Sequence, residues 1–152
     1  MVYEVKEEQS KDGRKVMRID REHLLDLVKD LKADGYDSLS LISCVDFRDR
    51  IEVVYHLFNS KNEDILVVKT ETRDSKVPSL TSLYESANWD EREQYDMMGV
   101  EFTGHPNLKR ILLPEGWVGY PLRKDYDLSK TQYVNMDDEG EDRVSFDPGD
   151  GW

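Results

Sequence analysis

Cysteine is almost missing. A single thiol, Cys44, occurs in 152 residues. It cannot close an internal disulfide, and an iron–sulfur cluster takes about four thiolates, so this chain alone supplies too few ligands for one. One thiol fits a reducing compartment. Histidine is also scarce, and His23, His56 and His105 fall at no metal-ligand spacing. Long apolar runs are lacking. No stretch approaches the roughly 20 residues that cross a bilayer, so no membrane span is expected. Met1–Ser10 has no apolar centre, and a secretory signal is not expected either. Positive charge is in deficit: 21 Lys and Arg face 33 Asp and Glu, for a net charge of -12. A nucleic-acid binder needs clustered cations to displace counterions from phosphates, so that class is excluded.

What is present suits one domain of ordinary size. Val2–Gln9 and Arg14–Ile19 flank Lys11-Asp12-Gly13, the pattern of a hairpin. Asp20 stands where a helix cap would. Leu24, Leu27, Val28 and Leu31 share one helical face, and Gly35 suits a left-handed stop. Three strands are predicted next, near 37–47, 50–58 and 62–72. In the first, Leu39, Leu41, Ser43, Val45 and Phe47 alternate with Ser40, Ile42, Cys44 and Asp46. In the second, Ile51, Val53, Tyr55 and Leu57 share a face. Arg48-Asp49-Arg50 and Asn59–Asn62 are turns, so antiparallel neighbours are expected. A short helix over 79–86 would put Leu80, Leu83, Tyr84 and Ala87 on one face. Another over 88–98 would have Asn88 as cap, Glu91 at the capping-box position and Gly99 as stop. Residues 103–126 have no periodicity, but they carry three prolines, three glycines and large apolar side chains. Long irregular segments in compact domains usually have a functional reason, and this one reads as a strap laid over a surface. Residues 137–152 hold seven acids against Arg143 and little that is apolar, so 129–152 is expected to be an extended acidic tail. The predicted fold is α+β: a two-layer domain over 1–128, with helices on one face of a mixed, mostly antiparallel sheet, followed by the strap and the tail.

Three local patterns suggest chemistry and lack its essential parts. Gly99 and Gly104 have phosphate-loop spacing, yet His105 and Pro106 follow where Lys and Ser or Thr are needed. Asn135, Asp137, Glu139 and Gly140 echo a calcium loop, but Phe146 replaces the bidentate Glu. Glu91, Glu93, Asp96 and His105 include acid–base candidates. Asp90 and Glu91 also suit the positive end of a helix, and Arg92 lies at ion-pair spacing from Asp96.

Glu91-Arg92-Glu93-Gln94-Tyr95-Asp96-Met97-Met98-Gly99 leads into Phe102, Gly104-His105-Pro106, Leu108 and Arg110-Ile111-Leu112. Trp117, Gly119 and Pro121-Leu122-Arg123-Lys124-Asp125-Tyr126 follow. This segment closely resembles the signature of the thirty-kilodalton subunit of respiratory complex I (NADH:quinone oxidoreductase). The same module occurs in membrane-bound energy-converting [NiFe] hydrogenases and in archaeal coenzyme-F420- and ferredoxin-linked dehydrogenase complexes. Residue-for-residue agreement covers about a quarter of the sequence, 89–126. One departure is Tyr120, where the family often has His.

The resemblance implies a non-catalytic assembly subunit in the peripheral arm of an ion-translocating electron-transfer complex, on the cytoplasmic side of the membrane. It implies partners: a large hydrogenase-derived subunit and a cluster-bearing small subunit. It implies no cofactor in this chain, with iron–sulfur clusters and flavin or NiFe held by the partners. The interface residues it points to are Glu91, Arg92, Glu93, Asp96, Gly104, His105, Pro106, Arg110, Trp117, Tyr120, Arg123, Lys124, Asp125 and Tyr126. Trp, Tyr and Arg are the types favoured at interface hot spots. The same aromatics would also serve to cover this domain's own sheet, and the bases to pair with its own acids. Two other readings stay open: a stand-alone enzyme using Glu91, Glu93 or His105, and an acidic adaptor whose tail binds a basic partner.

Overall fold

The chain opens with strand β1 (Lys6–Gln9) and turns back at Gly13, whose φ of +88° L side chains rarely adopt, into β2 (Lys15–Arg18). The computed structural model describes residues 3–150. Val2 of the first expected strand and the last two residues of the tail lie outside the described residues. After β2 the backbone makes a 3₁₀ turn, Arg21–His23, before helix α1 (Leu24–Ala33). The cap expected from Asp20 is not made by its side chain. A 3₁₀ start is tighter, and the Asp20 carbonyl instead accepts from the His23 N–H at 2.9 Å. The inward stripe is the expected one: Leu24, Leu27, Val28 and Leu31 are buried. Gly35, at φ +111°, ends the helix, and the Tyr36 N–H reaches back to the Leu31 carbonyl at 3.1 Å.

Strands β3 (Ser38–Asp46), β4 (Ile51–Asn59) and β5 (Asp64–Thr72) form an antiparallel meander. β2 joins it alongside β5 in parallel, giving a five-stranded sheet in the order β1-β2-β5-β4-β3. Both helices lie on one face. Ile42, Val53, Tyr55, Leu57, Leu66 and Val68 meet α1 and the end of α2 in a single core. This is the two-layer α+β arrangement, mostly antiparallel, that the sequence predicts. One detail differs. A register shift between Leu39 and Leu41 inverts the pattern of β3. Leu39 points in, then Ile42 and Asp46 do, leaving Leu41, Val45 and Phe47 exposed.

The helix expected over 79–86 is a pair of turns closed by Tyr84 N–H to Leu80 O and Ala87 N–H to Tyr84 O. Its apolar residues Leu80, Tyr84 and Ala87 are nevertheless buried. Ser79 Oγ takes the Thr81 N–H at 3.1 Å, as a helix cap would, but the hydrogen bonds do not run on into a regular helix. Helix α2 (Ala87–Met98) then starts after Ser86, not at Asn88, and Glu91 forms no capping box. Gly99, in the left-handed region, is its stop as expected. Two three-residue strands with no readable period, β6 (Lys76–Pro78) and β7 (Glu101–Thr103), pair in parallel and bring the ends of α2 and β5 together.

The segment 129–152 is not simply extended. Within it β8 (Gln132–Met136) and β9 (Asp142–Phe146) form an antiparallel hairpin. Its turn is organised locally: the Asp137 carboxylate accepts the Glu139 and Glu141 N–H groups at 3.0 and 2.9 Å and pairs with Arg143 at 2.7 Å.

Candidate functional site

Between β7 and β8 the backbone has no regular structure. This is the strap, and two buried carboxylates hold it down. Asp96, on α2 and fully buried, is the centre. One of its oxygens accepts three consecutive backbone N–H groups, from Ile111, Leu112 and Leu113, at 3.2, 2.7 and 3.0 Å. The other pairs with the Arg110 guanidinium at 2.9 Å. That guanidinium also donates to the Gly119 carbonyl at 2.9 Å and lies over the Tyr120 ring. A buried ion pair is favourable only when its remaining hydrogen bonds are satisfied, and here they are. The expected Arg92–Asp96 pair is replaced by Arg110–Asp96. Arg92 instead donates to the Lys109 carbonyl at 3.0 Å, so α2 grips the strap twice.

Asp46, buried at the end of β3, is the second anchor. It accepts the Lys124 N–H at 2.9 Å and the Arg48 N–H at 2.7 Å. These two amides, with Arg123 and Lys124 nearby, hold its carboxyl below the usual carboxylate range despite burial. Arg123 donates to Ser75 Oγ at 3.0 Å. Tyr120 packs on Gly99, where a Cβ would stand 2.6 Å from the ring, and Tyr126 packs on Gly119 in the same way at 2.9 Å. Trp117 is half-buried, and its indole N–H has no hydrogen-bond partner among the described residues.

Of the residues singled out from the sequence, Arg110, Tyr120, Arg123 and Tyr126 thus make contacts within this domain. Lys124 and Asp125 are exposed. Gly104, at φ +86°, and Pro106 shape the turn around His105. Nδ1 of that imidazole accepts the Asn107 N–H at 3.0 Å, so Nε2 carries the proton and donates to the Asn88 carbonyl at 3.0 Å. Glu91 is fully buried, accepting from Ser79 Oγ and the Leu80 N–H, both at 2.9 Å. Burial without a cation pushes its carboxyl up to about 7. Glu93 is half-buried on the same helix. Glu91 is thus sealed from solvent, and both ring nitrogens of His105 are engaged within the domain. No group of three or more His, Cys, Asp or Glu side chains among the described residues is placed to hold a metal ion.

The strap exposes three aliphatic side chains among its polar ones: Leu112, Val118 and Leu122 are 57%, 47% and 62% exposed. Sequence reading missed these three and Asp46. Leu112 and Leu122 lie inside the signature segment, but sequence gives no direction to a side chain in irregular backbone. Asp46 gives no signal, because its partner is 78 residues away.

Residues 17–132 match the family model described as respiratory-chain NADH dehydrogenase, 30 Kd subunit. The sequence is 43% identical over 129 residues to an NADH-quinone oxidoreductase subunit of Sinorhizobium medicae (strain WSM419), a match that takes in 82% of this chain and 64% of that protein. It therefore spans just under two thirds of that relative's length. Among solved structures, it resembles part of the membrane-bound sulfane sulfur reductase, an archaeal respiratory membrane complex. The TM-score is 0.72 at 28% identity, over 82% of this protein and 78% of that one. It also resembles Nqo5, solved as a trypsin-resistant fragment (1-134), with a TM-score of 0.64 at 29% identity over 68% and 89% of the two.

Proposed function

The chain belongs to the family of the 30-kilodalton subunit of respiratory-chain NADH dehydrogenase, and from that premise we propose that it is a non-catalytic assembly subunit. Its place is the peripheral arm of a membrane-bound, ion-translocating electron-transfer complex, on the cytoplasmic side. Its partners are the large hydrogenase-derived subunit and the cluster-bearing small subunit. Iron–sulfur clusters, and flavin or NiFe, belong to those partners. No helix among the described residues is long and apolar enough to cross a membrane; in this proposal the link to the bilayer is made by the partners.

The observation that carries this reading is the strap. An irregular segment of this length would ordinarily lose much entropy on binding. Here Asp96 and Asp46 fix it before any partner arrives, and it presents Leu112, Val118 and Leu122 outward. A preformed surface of this kind is what a rigid spacer needs. The mechanism is positional: the protein holds the large subunit in fixed geometry beside the electron path, as a supporting shell holds any preorganised site.

The test is purification through a tag on this protein from detergent-solubilised membranes. The expected result is stoichiometric recovery of the large and small subunits, with every visible-absorbing centre lost when they are stripped away. A cluster or flavin retained stoichiometrically by the isolated protein would overturn the proposal.

A further inference from the structure

Thirteen large hydrophobic side chains are exposed among the described residues, and eight of them fall between 112 and 146. Part of this surface is on the strap. The rest belongs to the β8–β9 hairpin and its approach: Leu128, Tyr133 and Met136 are 83%, 47% and 73% exposed. The register puts Val134 opposite Val144 and Met136 opposite Asp142 on one face, with Tyr133 opposite Ser145 on the other. One face of this two-stranded ribbon thus exposes Val134, Met136 and Phe146, while the other carries Tyr133 with Asn135, Arg143 and Ser145. Such a ribbon is marginal alone in water. It is tethered by a clamp: Gln132 accepts the Val118 N–H at 2.8 Å and donates to the Val118 carbonyl at 2.7 Å, while Val144 lies against Gly116.

The tip carries charge. Asp137 is engaged by its own turn and by Arg143. No cation among the described residues comes within ion-pair distance of the carboxylates of Asp138, Glu139, Glu141 and Asp142. Over 127–150, eight acids face only Lys130 and Arg143. The family match ends at residue 132, where the hairpin begins.

We infer that the 132–146 hairpin is a docking element that lays its Val134, Met136 and Phe146 face on an apolar surface of a partner protein, rimmed by lysine and arginine. An exposed apolar ribbon face needs an apolar wall, and an acidic tip needs a cationic one. A second copy of this protein, at net charge -12, is repelled. An anionic lipid surface is repelled for the same reason. The inference rests on the assembly proposal and adds a second contact to the strap.

The experiment uses the whole complex, purified through a tag on the large subunit. One variant carries Val134→Asp and Met136→Asp. A second carries Asp138→Asn, Glu139→Gln, Glu141→Gln and Asp142→Asn. A third places a benzophenone amino acid at Met136 for photo-cross-linking. The aspartate pair is expected to lower retention of the protein in the complex roughly tenfold or more. The neutralised tip is expected to lower it less and to flatten its dependence on salt. The cross-link is expected on an apolar surface bordered by Lys or Arg. The melting temperature of the isolated protein should be unchanged by either set, because the hairpin lies outside the core. Retention of both variants at the wild-type level overturns the inference. So does a cross-link to a second copy, to lipid, or to a surface without cations. If the wild-type protein is itself missing from the complex, the assembly proposal has failed and this inference falls with it. If wild type and variants are all retained, only the hairpin inference fails.

Discussion

Two carboxylates on α2, Asp96 and Glu91, are both fully buried, and their surroundings treat them oppositely. Asp96 has a cation and three backbone N–H groups. Replacing it by Ala leaves the buried Arg110 and three amides without an acceptor. The expected cost is about 3–5 kcal/mol, a large share of a domain's total stability, read as an earlier denaturant midpoint. Asp96→Asn keeps one acceptor and loses the charge, so it should fall between Ala and wild type. Glu91 has two donors and no cation, and its folded pKa of about 7 lies above the ordinary carboxyl value of 4.5. A raised folded pKa contributes stability that is complete below the unfolded value and is lost as pH rises through the folded one. Glu91 therefore weakens the fold progressively between about pH 4.5 and 7, by roughly 3 kcal/mol at most. Glu91→Gln keeps an acceptor for the Leu80 N–H without the charge. Urea unfolding of the two proteins should coincide most closely at pH 4.5 and diverge by pH 8, with the Gln variant more stable. The capping-box spacing of Glu91 is plain in the sequence. Its true partners, Ser79 and Leu80, are not, because they lie in a turn that only the folded core brings near.

At the scale of elements, what was legible followed from local periodicity. α1, β4 and β5 appear in the sequence because each buries a regular stripe on the sheet's helix-covered side, whereas β3 is legible as a strand but not in which of its residues face inward. The 79–86 segment has the same apolar spacing and buries Leu80, Tyr84 and Ala87, yet it forms only turns, so spacing alone misleads. The bulge in β3 and the short β6–β7 pair depend on neighbours distant in sequence and leave no periodic trace. Polar composition suggested an extended acidic tail, and within it Asp137 and Gly140 build a turn between two five-residue strands. The junction of α2 with the strap is the most brittle point. Gly99 has φ +72°, and an added Cβ would meet the Tyr120 ring at 2.6 Å. Gly99→Ala combines left-handed strain of about 1 kcal/mol with displacement of that ring. It should destabilise by roughly 2–3 kcal/mol. It should also loosen the strap, seen as faster amide exchange at Leu112 and Leu113. Unchanged exchange there would show that Tyr120 does not lock the segment.

For the whole molecule, the strap is organised from within. The aromatic and arginine side chains that suggest interface hot spots mostly face their own domain, while Leu112, Val118 and Leu122 point outward among polar neighbours. Tying Asp46 to Lys124 connects one end of the sheet to one end of the strap, 78 residues apart. Its depressed carboxyl contributes stability that is present above the ordinary carboxylate range and is lost as pH falls through its lowered value. Strap contacts near Lys124 should therefore survive mild acid and release only in strong acid, which amide exchange at Lys124 would show. The central claim is that this preformed strap holds a partner in place. The most direct measurement is the recovery of the large subunit by a variant with Leu112→Asp and Leu122→Asp. These exposed positions leave the core untouched, so the isolated variant should melt with wild type. Loss of the large subunit from that otherwise folded variant is the predicted result; wild-type recovery would contradict the account.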